Sequence, residues 1–191
     1  VHKLVRKLVY QVSSPRSFKE HKHIMIEVQL QVNGADVQYT VPDQTLLVEF
    51  LRQNCRLTGT HVGCDTSQCG ACTVNLDGVA VKSCTILAAQ ASGGSVITVE
   101  GLAAPEGKTL HPVQDAFVQC HGLQCGFCTP GMIMAVDFYL RKPPSLSEAS
   151  ICHALEGNIC RCTGYVNIIE SVRHAAREMY PELDSAGSDK S

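Results

Sequence analysis

No apolar run in the 191-residue sequence approaches the roughly 18 residues that a helical membrane span requires, so no such span is expected. Trp is absent and aromatic residues make up only 5% of the chain. The N-terminal stretch has no secretory apolar core and no twin-arginine pair. It is basic: residues 1–24 hold Lys3, Arg6, Lys7, Arg16, Lys19 and Lys22 against Glu20 alone. The remainder carries 10 basic and 17 acidic side chains, so the bulk is acidic and lacks a basic face suited to nucleic acid. Residues 1–22 read as a disordered leader or upstream extension without a functional role, and Met25 stands where patterned sequence begins.

Cysteine, by contrast, is abundant. Eleven cysteines in a chain without an export signal argue against a disulfide framework; in a reducing cytoplasm this density points to metal. The length suits one domain or two small ones, and small domains gain from cofactors or partners.

The hydrophobic period divides the chain in two. Ile26, Val28, Leu30 and Val32 alternate with polar residues as in a half-buried strand. Asn33-Gly34 signals a hairpin, with Val37, Tyr39 and Val41 on the returning strand. The spacing of Leu46, Leu47, Phe50 and Leu51 predicts a helix over residues 45–54. A Gly- and Cys-rich loop follows to Ala71, then a second hairpin around Asp77-Gly78 and a short strand from Val96 to Val99. A mixed sheet crossed by one helix is the β-grasp pattern.

Residues 101–110 read as a linker, and beyond them the period is helical. Helices are expected from Pro112 to about Gln119, and from Thr129-Pro130 to a stop at Pro143-Pro144. A third is capped by Ser145 with Glu148 and terminated by Gly157, and a fourth runs from about Tyr165 to Met179. The expected fold class is α+β: a β-grasp plant-type ferredoxin domain over residues 24–100, then an all-α four-helix bundle over 111–180 and a polar tail over 181–191.

Cys64, Cys69, Cys72 and Cys84 have the C-x4-C-x2-C…C spacing of plant-type ferredoxins. A 2Fe–2S core needs four converging thiolates, three of them from one curled loop, and Gly63 and Gly70 permit that curl. Tetrahedral zinc is the alternative, but its sites usually pair two separated C-x2-C units. The second group is Cys125 and Cys128 with Cys160 and Cys162, in loops that can meet at one end of a helical bundle. Its C-x2-C alone also fits a thiol–disulfide motif, which would leave the C-x-C pair unexplained. The helix beginning near Pro130 points its positive end at these thiols. Thr73 and Thr129 stand where a c-type haem motif requires His, and no His is placed for a Rieske centre. Cys55, Cys120 and Cys152 are left over and read as buried small hydrophobes. Phe127 is expected to shield a cluster, His61 to be packed or solvated, and Arg161 to offset cluster charge or pair with an interface acid.

The motifs GCDTSQCGACTVNLDG, GLQCGFCTPGM and GNICRCTGY, in this order, resemble the iron–sulfur subunit of the molybdenum hydroxylase (xanthine oxidase) family over roughly residues 25–180. Within that family Asp65-Thr66-Ser67 and VKSCT are most similar to small subunits of aerobic carbon monoxide dehydrogenases. The resemblance implies two 2Fe–2S clusters on Cys64, Cys69, Cys72, Cys84 and on Cys125, Cys128, Cys160, Cys162. It implies a non-catalytic electron-transfer subunit that carries electrons from a molybdenum cofactor in a large subunit to FAD in a medium subunit. The expected assembly is a dimer of heterotrimers, cytoplasmic or peripheral at the inner face of the membrane. It further implies that Gln124 bonds the pterin of a molybdopterin cytosine dinucleotide; taken alone, Gln124 reads as a loop side chain bonding local backbone. The alternatives are a related hydroxylase acting on an N-heterocycle or aldehyde, a free-standing ferredoxin-like carrier, and a zinc-stabilised module. No nucleophile, general base or substrate pocket is evident in the sequence.

Overall fold

The computed structural model describes residues 24–104, 109–142 and 144–185; the leader expected over 1–22 lies outside them. Strands β1 (Met25–Val32) and β2 (Ala35–Pro42) form an antiparallel hairpin. Asn33 and Gly34 turn it with φ of 50° and 82°, the left-handed pair that fits the twist of two-residue hairpins. β3 (Thr73–Leu76) and β4 (Val79–Lys82) form a second hairpin, turned in the same way by Asp77 and Gly78. β5 (Ser95–Ile97) lies parallel to β1 and antiparallel to β3, giving one sheet in the order β2-β1-β5-β3-β4. Val28, Leu30 and Val32 point from β1 into a core shared with Val74, Val96 and Phe50, as the alternation predicts. The expected strand over 96–99 is shorter, because the chain turns into a 3-10 segment at Val99–Gly101.

The helix expected over 45–54 is α1 (Leu47–Glu49), which widens at once into a π-helical turn, Phe50–Asn54. Cys55 N–H donates to Phe50 O at 3.1 Å, and Leu47, Val48, Phe50 and Leu51 are all buried. A second short helix, α2 (Ala88–Ala91), is made of three alanines and Gln90, with no legible period.

Four helices enclose a separate core: α3 (Pro112–Gln119), α4 (Thr129–Tyr139), α5 (Glu148–Leu155) and α6 (Val166–Met179). Phe117, Met132, Ile151, Ile168 and Val172 lie at its centre. Two predicted ends are corrected. The cap of α5 is Ser147, whose hydroxyl accepts from Ser150 N–H, whereas Ser145 Oγ is bonded to Ser147 Oγ. Gly157 does not adopt a left-handed terminating conformation; its carbonyl serves another partner, Lys82. Within the tail expected over 181–191, α7 (Glu182–Ser185) places Leu183 against the helical core. Val99, expected to end a strand, and Leu102, at the start of the expected linker, pack on the same core.

The two units meet along a seam in which main chain approaches main chain. Ile159 N–H donates to Cys69 O at 2.8 Å, and Asn158 Nδ2 donates to Gly70 O at 3.0 Å. Arg141 Nη1 reaches Gly78 O at 2.7 Å from the end of α4. No described helix is long and apolar enough to cross a membrane.

Candidate metal centres

The loop between α1 and β3 wraps around the first quartet. Asp65, Ser67 and Gly70 all take positive φ, so the chain curls tightly enough to bring three cysteines of one loop together. Gly63 contributes by space: a Cβ there would stand 2.9 Å from Cys69 Sγ. Cys84 arrives on the 3-10 turn that follows β4. The N–H groups of Thr66 and Cys69 each lie 3.4 Å from Cys64 Sγ, and Ser67 N–H points at Cys84. Hydrogen bonds from Cys69 and Thr66 hold the Cys64 thiol down at about 6. Burial pushes Cys84 up to about 11 and raises Cys69.

The second quartet gathers at one end of the helical unit. Cys128 is the N-cap residue of α4, so the amino end of that helix lies at the site. Cys125 and Cys162 sulfurs are 3.5 Å apart, and Cys128 is in hydrogen-bond reach of Cys160. The C-x-C segment is pinned by Tyr165, whose hydroxyl accepts from Cys160 N–H at 2.9 Å and donates to Asn158 O at 3.0 Å. Tyr165 itself has φ of 67°, a position of backbone strain that this double bond holds in place. Burial raises the Cys160 thiol, but hydrogen bonds from Thr163, Cys162 and Cys128 outweigh it and leave it lowered. Cys128 is pushed by burial to about 12, while the Phe127 N–H lowers Cys125.

Each quartet thus consists of two thiol pairs: Cys64 with Cys69 and Cys72 with Cys84, then Cys125 with Cys162 and Cys128 with Cys160. Two thiolates on one tetrahedral metal at about 2.3 Å would be roughly 3.8 Å apart, close to the 3.5 Å of Cys125 and Cys162. Among the described residues no three His, Cys, Asp or Glu side chains close on one point as a single ion needs. Thiols set in pairs suit a two-iron core, which takes two cysteines on each iron. One member pair of each quartet is more deeply set: Cys72 is 1% and Cys84 3% exposed, and Cys160 is buried, whereas Cys125 and Cys162 are exposed. Beside Cys128, the buried hydroxyl of Thr129 has no hydrogen-bond partner among the described residues. A donor left over at that position fits an acceptor sulfur in the site.

Of the remaining candidates, Gln124 is exposed on the loop before Cys125. Phe127 is 49% exposed and stacks on His61 at 4.7 Å, while His61 Nδ1 lies 2.8 Å from Phe127 O. His61 is therefore a packed seam residue, and Phe127 covers it as much as any cluster. Arg161 is exposed and has no ion pair among the described residues. Cys55 packs on the sheet core, and burial pushes its thiol to about 11. Cys120 is half-buried, but Cys152 is exposed on α5, which corrects its assignment as a core residue. The sequence reading missed Lys82, Asn158, Thr129 and Tyr165. All four are polar side chains within five residues of a ligand candidate, which is the signal that could have found them.

Two protein-family models match the chain, a 2Fe–2S iron–sulfur cluster binding domain over residues 30–96 and a 2Fe–2S binding domain over residues 98–173. The chain is 48% identical over 149 residues to caffeine dehydrogenase subunit gamma of Pseudomonas sp. strain CBB1, covering 76% of this chain and 88% of that one. It is 45% identical over 150 residues to the nicotine 6-hydroxylase small subunit of Paenarthrobacter nicotinovorans, covering 78% and 89%. The solved structure of quinoline 2-oxidoreductase from Pseudomonas putida 86 contains a chain with a TM-score of 0.75 and 38% identity, covering 81% of this chain and 96% of that one.

Proposed function

This chain belongs to the iron–sulfur subunits of the molybdenum hydroxylases, and we propose that it relays electrons from a molybdenum cofactor in a large partner subunit to FAD in a medium one. Cys64, Cys69, Cys72 and Cys84 hold one 2Fe–2S cluster, and Cys125, Cys128, Cys160 and Cys162 hold the other. Each cluster supplies one-electron redox chemistry, with a potential set by burial, hydrogen bonds to sulfur and local charge.

The observation that carries the relay reading is the 2.8 Å hydrogen bond from Ile159 N–H to Cys69 O. It joins a ligand residue of one quartet to the neighbour of a ligand, Cys160, in the other. A single main-chain hydrogen bond is all that separates the two loops. The exposed pair Cys125 and Cys162, with Gln124 beside it, supports docking of the molybdenum subunit there, Gln124 meeting the pterin of a molybdopterin cytosine dinucleotide. A groove lined by Leu46, Val48, Glu49, Arg52, Val62 and Asp65 runs beside the first quartet and supports the flavin subunit at that end. The assembly would be a dimer of heterotrimers in the cytoplasm.

For the substrate of the whole assembly, an N-heterocycle is the better-supported reading. The relatives and the solved structure compared above carry caffeine, nicotine and quinoline in their names. The carbon monoxide reading rests on Asp65-Thr66-Ser67, and in this fold those residues serve the cluster loop. Asp65 and Ser67 supply its left-handed turns, and Thr66 and Ser67 direct N–H groups at cysteine sulfurs.

Natively purified protein should contain two irons and two sulfides for each quartet and show two distinguishable EPR signals on reduction. It should co-elute with larger subunits and be reduced by an N-heterocycle rather than by carbon monoxide. Zinc in place of iron, or a single cluster, overturns the relay; elution of the chain alone favours a free carrier.

A further inference from the structure

Lys82 ends β4 two residues before Cys84, and its side chain crosses the seam. Its Nζ is 2.9 Å from Thr73 Oγ1 on the neighbouring strand, 2.8 Å from Gly157 O and 3.2 Å from Asn158 Oδ1. An ammonium has three N–H donors and no acceptor, so each donor has an oxygen and the charge is fixed in place. All three acceptors are neutral. Among the described residues no carboxylate forms an ion pair with Lys82.

A half-buried cation with only neutral partners lacks the negative charge that such burial ordinarily requires. Burial disfavours the ammonium, and the strongest charge interactions that oppose this come from Cys72, Cys69, Cys84 and Cys64. The missing counter-charge is therefore the thiolate set of the first quartet. Asn158 ties the arrangement back to the same loop by donating to Gly70 O, next to Cys69.

We propose that Lys82 is a positioning cation for the first cluster: its ammonium, held across the seam by Thr73, Gly157 and Asn158, favours the reduced state of the cluster on Cys64, Cys69, Cys72 and Cys84 over that of the second cluster. Reduction adds one negative charge at the first quartet, and a fixed cation at its edge offsets that charge. Electrons arriving at Cys125, Cys128, Cys160 and Cys162 then meet a better acceptor on the flavin side. The inference rests on the relay reading.

The test is an EPR-monitored redox titration of the purified complex in four forms: wild type, Lys82→Gln, Lys82→Arg and Asn158→Ala. Lys82→Gln is expected to weaken reduction of the first cluster about tenfold, about 59 mV for a one-electron couple, and to move the second cluster less. Lys82→Arg restores most of the shift because the charge returns. Asn158→Ala keeps the charge with two of its three oxygen partners, so the first potential falls by less than in Lys82→Gln. If Lys82→Gln fails to load its clusters, Lys82→Met, which keeps the stem, reads the same quantity. An unmoved first potential, an equal or larger shift of the second, an arginine variant that behaves like glutamine, or an Asn158→Ala shift as large as that of Lys82→Gln overturns the proposal. Absence of two signals in the wild type would instead refute the relay reading.

Discussion

Gly131 offers a test in which two ordinary effects of one methyl group oppose each other. It stands in the first turn of α4, where replacing glycine by alanine would normally stabilise a helix by up to about 1 kcal/mol. A Cβ at this position, however, would lie 2.1 Å from Gly70 O and 3.0 Å from Ala71 Cα. Those atoms are main chain of the first cluster loop and cannot rotate away like a side chain. Overpacking of this kind costs roughly 1–3 kcal/mol, and a contact this short against backbone belongs toward the upper end. The net expectation for Gly131→Ala is a loss of about 2 kcal/mol, or a fall in Tm of roughly 4–8 °C for a chain of this size. Thermal unfolding of the loaded protein followed by circular dichroism reads it. The same displacement pushes on Gly70, between Cys69 and Cys72, so the EPR line shape of the first cluster should change while that of the second is kept. An unchanged or raised Tm would show that helix propensity governs the position and that the seam is looser than the described contacts.

Two further outcomes follow from the hydrogen bonds and thiols of the sites. Tyr165→Phe leaves Cys160 N–H and Asn158 O without the hydroxyl that joins them, a cost of about 1–3 kcal/mol; a chelator should then strip the second cluster faster than in wild type, with the first retained, and equal loss rates would refute the pinning role. In cluster-free protein, Cys64 at about 6 is a thiolate at neutral pH, while Cys55 at about 11 and Cys128 at about 12 are protonated. Iodoacetamide should therefore modify Cys64 ahead of both, with the rate falling as pH drops through about 6, and equal labelling at pH 7 would contradict the hydrogen-bonded thiolate.

What could be read from the sequence was what is encoded locally. The alternation of Val28, Leu30 and Val32 identifies β1, Asn33-Gly34 and Asp77-Gly78 identify the hairpins, and Pro112 marks the start of α3. The cysteine spacings name two quartets, within each of which the fold sets thiols in pairs. The misplaced features involve competition between nearby groups or packing between distant ones. Ser145 and Ser147 both offer a hydroxyl before α5, and only the geometry of the turn selects Ser147. Leu46 to Leu51 reads as an ordinary helix, but the chain takes a π turn as Leu47, Phe50 and Leu51 enter the sheet core while Val48 packs on Cys72 and Cys84. The seam was not legible at all. Gly70 and Gly131 are 61 positions apart, and Lys82 and Gly157 are 75 apart, so no local pattern links them.

The seam also explains why the quartets, although each has four cysteines, are asymmetric. In the helical unit the deeper thiol pair is the half-buried Cys128 and the buried Cys160, and their chain neighbours Phe127 and Ile159 make the contacts to His61 and Cys69 across the seam. Cys125 and Cys162, on the far side of that quartet, are exposed. In the sheet unit the seam is reached through Cys69 O and Gly70 O, while Asp65, Thr66 and Ser67 beside Cys64 are exposed. Each site therefore has one side committed to the other site and one side open to a partner. A free-standing carrier needs one open cluster edge, where a single partner docks and leaves. Two open edges joined by a short main-chain bridge suit a component placed between a donor and an acceptor, and Lys82 adds a fixed charge at that bridge.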